Sequence, residues 1–334
     1  MNLQKEFEEF HDNIKLDDEN ETLREKRDIL LEKLRSHITD SSPSYSTFVQ
    51  GSYAMGTGIK PEDEDYDIDV GIKFDINKDD YNALSPKIWV RDALSGHTKS
   101  VKIRRSCVTV TYQKNYDPIY HVDFAVYAGS NPDGKLYVAK GKEYSLPENI
   151  KWEVSDPQGL MNLVKNKYRD ADDRRQFRRI IRYMKKWKNH NTYLLGNGAP
   201  SGIALTCLAF QLFTVSKNYD IIGKVTSYND LSALISFTQS IINKFTLKYD
   251  SDTQEYIHKI TINLPVEPYN NLFAKMSDRQ MEILYQELVK MNNKLKDANN
   301  KTKRSEACTL LVELFGKEFP VTTDRSYVRT SESA

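Results

Sequence analysis

The chain has 334 residues and a mass of 38.7 kDa, about twice a typical domain, which predicts one large domain or two closely packed ones. Lys and Arg number 48 against 47 Asp and Glu, and the resulting net charge of +1 excludes a globally basic nucleic-acid coat while leaving room for a basic cleft. Apolar residues make up 39%, enough for an ordinary core, but no window of about 18 apolar residues supports a membrane span.

In chain order, residues 1–40 are dense in Glu, Lys and Arg. They open on MNLQKEFEEFHDN, which has no apolar h-region and does not read as a secretory signal. Phe7, Phe10, Ile14, Leu23, Leu30, Leu34 and Ile38 recur mostly at helical spacing. This predicts one long helix spanning both halves of the protein, or two helices broken near Leu16–Asn20. Ser41-Ser42-Pro43-Ser44 ends the pattern, and a compact α/β unit over 41–154 follows. DIDVGIKF (67–74), CVTVTY (107–112) and YHVDFAVY (120–127) alternate with period two, the last two joined by QKNYDP as a hairpin. Residues 79–95 read as a helix and LYVAK (136–140) as a further strand.

From 155 to 320 the pattern is helical. Asp156-Pro157 opens a helix through Tyr168, a second covers about 174–190, and GNGAP (196–200) is a loop. SGIALTCLAFQLFTV (201–215) is apolar nearly all round and predicts a buried helix. Asp230 is the expected cap of 231–244, Ser277 and Gln280 form a capping box for 278–297, and a helix near 305–315 stops at Gly316. Residues 321–334 read as a polar, flexible tail. Cys107, Cys207 and Cys308 lie about a hundred residues apart without a CxxC pair. That spacing argues against a disulfide framework or a zinc ribbon and for a reducing, cytoplasmic setting. The expected class is α+β: a mixed-sheet lobe followed by a helical lobe, with the active site in the cleft they share.

The densest signal is FVQGSYAMGTGIKPEDEDYDIDVGIKF (48–74). Asp67 and Asp69, two apart on a strand, point to one face, and Ile68, Val70, Ile72 and Phe74 point to the other. At about 3.3 Å per residue the two carboxylate stems stand roughly 6–7 Å apart, a spacing that can bracket two magnesium ions about 3.5–4 Å apart. Asp123 supplies a third carboxylate from an alternating strand, with His121 on its face. A lone DxD more often solvates a strand, and Glu62–Asp65 read as loop charge. Gly51-Ser52 upstream changes the balance, because a Gly-Ser turn offers N–H groups and a hydroxyl to phosphate oxygens. In 174–190, Phe177, Ile180, Ile181, Met184 and Trp187 form an apolar stripe, and Arg178, Arg182, Lys185 and Asn189 form a second, polar one. The second stripe is either a solvated basic face, balanced by Asp170, Asp172 and Asp173, or a cradle for a triphosphate.

Gln50-Gly51-Ser52-Tyr53, Gly56-Thr57 and Asp67-Ile68-Asp69 resemble the signature of polymerase-β-like nucleotidyltransferases. QGSYxxGT followed by YDIDVGI is most similar to the bacterial relatives of cyclic GMP-AMP synthase, the DncV-like enzymes that make cyclic di- or trinucleotide signals in anti-phage defence. The resemblance spans roughly 45–215. It implies Asp67, Asp69 and Asp123 as the catalytic, metal-binding triad, holding magnesium or alternatively manganese. It further implies that Gly51 and Ser52 hold the donor triphosphate, with Lys185, Ser201 and Arg182 contributing from the helical lobe. Ser201 also reads as an ordinary N-cap after Pro200, and the two roles are compatible.

The same resemblance implies NTP substrates (ATP and GTP, with pyrimidine NTPs as further candidates) and a downstream effector activated by the cyclic product. It also implies ubiquitin-transfer-like accessory proteins acting on the C-terminus at Ser333-Ala334. A monomer with no membrane association is expected. Two other readings stay open: a template-independent nucleotidyltransferase acting on RNA or making linear oligonucleotides, and a non-catalytic nucleotide-binding scaffold.

Overall fold

The computed structural model describes residues 2–16, 19–61, 66–114, 117–196, 199–250 and 254–322. The expected acidic loop at Glu62–Asp65 and the tail beyond Thr322 lie outside them. The fold is mixed α+β, and the chain divides into two units. One comprises Lys15–Arg169 with Asn263–Leu272, and the other Met1–Ile14, Asp170–Ile262 and Phe273–Ala334.

The N-terminal segment is two helices rather than one. The first, α1 (Gln4–Ile14), belongs to the second unit, and α2 (Glu19–His37) to the first. The first unit continues with β1 (Tyr45–Gln50), α3 (Gly51–Met55), β2 (Tyr66–Phe74), α4 (Ser85–Leu94), β3 (Ser100–Ile103), β4 (Val108–Lys114), β5 (Asp117–Ala128), β6 (Tyr137–Lys140), β7 (Lys151–Val154) and α5 (Pro157–Lys165). Its seven-stranded sheet runs β1-β2-β5-β4-β3, with β6 paired to β5 and β7 to β6. Only the β2–β5 pair is parallel. The predicted 79–95 helix is shortened to α4, because Asn82 caps the chain back on itself by accepting from the Leu84 N–H at 2.8 Å. The helical half, expected from 155, begins at Asp170. Before it, α5 packs on α3 and β1 within the sheet unit, opened as expected by Asp156, whose carboxylate accepts from the Gly159 N–H.

One face of the sheet is the core. Ile68, Val70, Ile72 and Phe74 of β2 and Val122, Phe124, Val126 and Ala128 of β5 are at most 1% exposed, packed with Leu23, Leu30 and Leu34 of α2 and Val90 and Leu94 of α4. Each such side chain contributes about 1.5–3 kcal/mol on burial. A one-residue slip of β2 would expose four of them and bury two carboxylates, a loss comparable to a domain's whole stability of about 5–15 kcal/mol. Register is thereby fixed, and with it the face on which Asp67 and Asp69 stand.

The second unit holds α6 (Ala171–His190), α7 (Thr192–Leu195), α8 (Gly202–Leu212), β8 (Lys217–Tyr219), β9 (Val225–Tyr228), α9 (Asp230–Lys244), β10 (Thr246–Asp250), β11 (Glu255–Lys259), α10 (Asp278–Asn300) and α11 (Arg304–Phe315). The predicted apolar stripe of α6 is buried throughout, at most 2% exposed. Phe7 and Phe10 of α1 join it through ring contacts with Tyr183, Phe315 and Phe319. The Ser277–Gln280 capping box forms as expected, and α11 ends before Gly316. Asp230 is not the cap of α9. Asn229 caps it by accepting from the Ser232 N–H, and Asp230 turns into the core, fully buried. There it accepts two hydrogen bonds from Arg179 (2.6 and 2.8 Å), one from Tyr183 and one from Gln176. Among the described residues no helix is long and apolar enough to cross a membrane.

Candidate active site

Backbone pairing assembles the site. In the parallel β2–β5 ladder Asp67 lies opposite His121 and Asp69 opposite Asp123. In the antiparallel β4–β5 ladder Thr109 lies opposite Asp123 and Thr111 opposite His121, while on the other flank Gln50 of β1 lies opposite Asp69. Residues opposite one another share a face of the sheet. Two rows therefore cross the sheet on the side away from the core: Gln50, Asp69, Asp123 and Thr109 over four strands, and beside it Asp67, His121 and Thr111 over three.

The three carboxylates meet. One oxygen from each of Asp67, Asp69 and Asp123 lies within 4.8 Å of the other two, with Asp67 exposed and the others half-buried. At an effective dielectric of about 20, unit negative charges at that separation repel by roughly 3–4 kcal/mol per pair. Hard oxygen donors so arranged suit a divalent cation that keeps some of its waters for substrate oxygens. The donor set fits the expected magnesium or manganese.

The flanking residues fix the carboxylates. Gly51 ends β1 with φ +70, and a Cβ there would fall 1.9 Å from Asp69 Oδ2, so only glycine allows this turn to press against the carboxylate. Ser52 follows in the single turn of α3, its carbonyl accepting from the Thr57 N–H at 2.9 Å, and Gly56 closes the turn in the left-handed region. The Tyr127 hydroxyl, kept protonated by burial, donates to Gln50 Oε1 at 2.8 Å. On the far side, Thr109 Oγ1 donates to Asp123 Oδ1 at 2.5 Å. Burial, with Asp123 second, pushes the Cys107 thiol up to about 12. It therefore stays S–H, with Sγ 3.5 Å from Thr109 Oγ1. His121 Nδ1 lies 3.1 Å from Thr111 Oγ1.

The residues expected from the helical lobe lie in the second unit, where two of them come together. Lys185 of α6 is 7% exposed, and its Nζ lies 3.9 Å from where a Cβ on Gly202 would stand, beside the N-terminus of α8. Ser201 caps that helix by accepting from the Ala204 N–H. Arg182 Nη1 stands 3.0 Å from His11 Nε2. Burial first, then Arg182 and Arg179, lowers the His11 pKa to about 4, so its neutral ring donates from Nδ1 to Asp12 and accepts at Nε2 from Arg182.

Thr109 and Tyr127 escaped the sequence reading, and Gln50 entered it only inside the quoted motif, without a role of its own. Alternation placed Thr109 and Thr111 on one face of CVTVTY, but their register with Asp123 was not legible. The β4–β5 pairing shifts by a bulge between Tyr112 and Gln113, so counting back from the hairpin misplaces it.

The nucleotidyltransferase-domain model of the DncV-like cyclic GMP-AMP synthases matches residues 46–127, the stretch from β1 to β5. The chain is 30% identical over 194 residues to a cyclic GMP-AMP synthase of Escherichia albertii, a match covering 56% of this chain and 41% of that protein. It thus spans less than half the length of that curated relative. The structure of E. coli MS115-1 CdnC with ATP superposes with a TM-score of 0.69 at 18% identity, covering 96% of this chain and 99% of that one. Vibrio cholerae DncV cyclic AMP-GMP synthase in complex with nonhydrolyzable GTP gives 0.67 at 16% identity, covering 94% and 95%. At such identities these two likenesses establish the fold. Residues 46–127 thus match the DncV-like nucleotidyltransferase domain, in a chain with the fold of CdnC and DncV.

Proposed function

We propose that the protein is a magnesium-dependent nucleotidyltransferase that joins NTPs into a cyclic di- or trinucleotide, releasing pyrophosphate, and that the product is a second messenger in anti-phage defence. The convergence of Asp67, Asp69 and Asp123 within 4.8 Å carries the reading. Divalent ions held there supply Lewis-acid activation of the attacking hydroxyl and neutralise charge on the transferring phosphoryl group.

The chain's own residues do the positioning. Asp67 and Asp69 would hold the divalent ions, and Asp123, one strand over, would bind the ion that activates the attacking ribose hydroxyl. Gly51 keeps Asp69 in place, and Ser52 offers its hydroxyl to the donor triphosphate. Lys185, Arg182 and Ser201 offer cations and a helix N-terminus to the same triphosphate, where charge builds as pyrophosphate leaves. ATP and GTP are the first substrates to test, with magnesium and then manganese. An effector reading the cyclic product and accessory proteins acting on the C-terminus belong to the same proposal.

The test is incubation of the full chain with an equimolar mixture of four NTPs and magnesium, without primer, followed by phosphatase treatment and mass spectrometry. A phosphatase-resistant cyclic product is expected from the wild type. In Asp67→Ala/Asp69→Ala it should fall by on the order of 10³-fold or more, the several kcal/mol that metal-held charge stabilisation is worth, with an unchanged circular dichroism spectrum. Linear or primer-dependent products would replace the cyclase reading with an oligonucleotide-extending one. Wild-type yield from the double variant would remove the site itself.

A further inference from the structure

Beyond the three carboxylates, Thr109 points at the same site. Thr109 faces Asp123 across the β4–β5 ladder, is 5% exposed, and spends its hydroxyl proton on Asp123 Oδ1 at 2.5 Å. We propose that Thr109 is a positioning residue that holds the Asp123 carboxylate in the rotamer the metal cluster needs, and that its hydroxyl, rather than its bulk, sets the affinity of the site for divalent ions. The inference rests on the reading of the triad as a metal site.

Asp69 is braced by the backbone at Gly51, where a side chain would collide with its carboxylate. Asp123 is held from the other flank, where the bond from Thr109 performs the equivalent task. A carboxylate on a strand has two rotatable bonds, and a single bond to one oxygen restricts both while leaving the lone pairs of Oδ2 uncommitted by this contact. Outer partners of metal-ligating side chains typically control affinity by about 10–100-fold.

Valine matches threonine in shape and strand preference, so Thr109→Val removes the hydroxyl alone, and Thr109→Ser restores it without the methyl group. The measurement is Mn2+ binding to the full-length protein, by electron paramagnetic resonance of free Mn2+, with product formation against Mn2+ concentration at saturating NTP as the second readout. Thr109→Val is expected to weaken Mn2+ binding by about 10-fold or more and to shift the metal dependence of the rate by the same factor. Thr109→Ser should stay within about twofold of the wild type. In an Asp123→Asn background, Thr109→Val should change nothing further, because the hydroxyl acts only through that carboxylate.

Wild-type Mn2+ affinity in Thr109→Val, or equal losses in the valine and serine variants, overturns the proposal while leaving the triad intact. Absence of Mn2+ binding by the wild-type protein overturns the metal-site reading and the proposal with it. If Thr109→Val does not fold, the serine variant and the Asp123→Asn pair with Thr109→Ala carry the same comparison. An effect of Thr109→Ala that persists in the Asp123→Asn background overturns the proposal.

Discussion

The two units of the molecule treat charge in opposite ways. In the sheet unit, three like charges are drawn together by strand register, on a face with Thr109 on one flank and Gly51 on the other. In the helical unit, buried and half-buried charge is matched with its opposite: Arg179 with Asp230, Lys186 with Glu318 at 2.9 Å, Lys217 with Asp173 at 2.6 Å. The first arrangement gathers like charge on one face of the sheet. The second closes on itself and holds helices together. Converging like charge therefore marks chemistry, and paired buried charge marks architecture.

That contrast can be broken at its strongest point first. Asp230→Ala should destabilise the protein by about 3–5 kcal/mol, because it strands a largely buried Arg179 with Tyr183 and Gln176 around it. Urea denaturation followed by circular dichroism reads the loss. A change below about 1 kcal/mol, the range of exposed pairs, would mean that the buried pair is no more structural than a surface one.

The sheet unit should respond in activity more than in stability. Gly51→Ala forces φ +70 on a residue with a Cβ and drives that carbon into Asp69. The backbone strain costs about 1–2 kcal/mol, but a displacement of Asp69 of about 1 Å should lower turnover on the order of 10²-fold. Steady-state kinetics beside thermal melts separates the two. An active Gly51→Ala enzyme would show that Asp69 has more freedom than its packing indicates.

The remaining expected effect lies in the helical unit and, unlike the others, depends on pH. His11 titrates near 6.5 in the unfolded chain and at about 4 when folded, lowered by burial and then by Arg182 and Arg179. The unfolded state therefore binds more protons between those values. Stability is complete above about pH 6.5 and declines as pH falls toward 4, by no more than about 1.4 kcal/mol per pH unit for one group. Denaturation curves across that range should be flatter for His11→Gln than for the wild type. Equal slopes would take His11 out of the account.

Much of this was legible in residue order. Alternation in DIDVGIKF exposed both the core face and the carboxylate face of β2, since a strand's period of two is a local property. The helical stripe of α6, the Asp156 and Ser277 caps and the stop at Gly316 are likewise settled within a few residues. Short strands such as Ser100–Ile103 and Lys151–Val154 were missed because four residues carry too little periodicity to read. Asp230 was misassigned for a related reason. Asn229 and Asp230 are equally good caps by composition, and only the buried Arg179 decides which of them turns inward.

The sequence by itself determined which residues can do chemistry and which face of its own element each occupies, because side-chain type and backbone period are properties of a few neighbouring residues. Tertiary structure alone decided which faces meet: that Asp123 stands beside Asp69 rather than one step along, that Thr109 and not Thr111 reaches it, and that Arg179 is locked to Asp230. Those outcomes follow from strand register and core packing, which minimise exposed apolar surface over the whole unit and so depend on residues far apart in the chain.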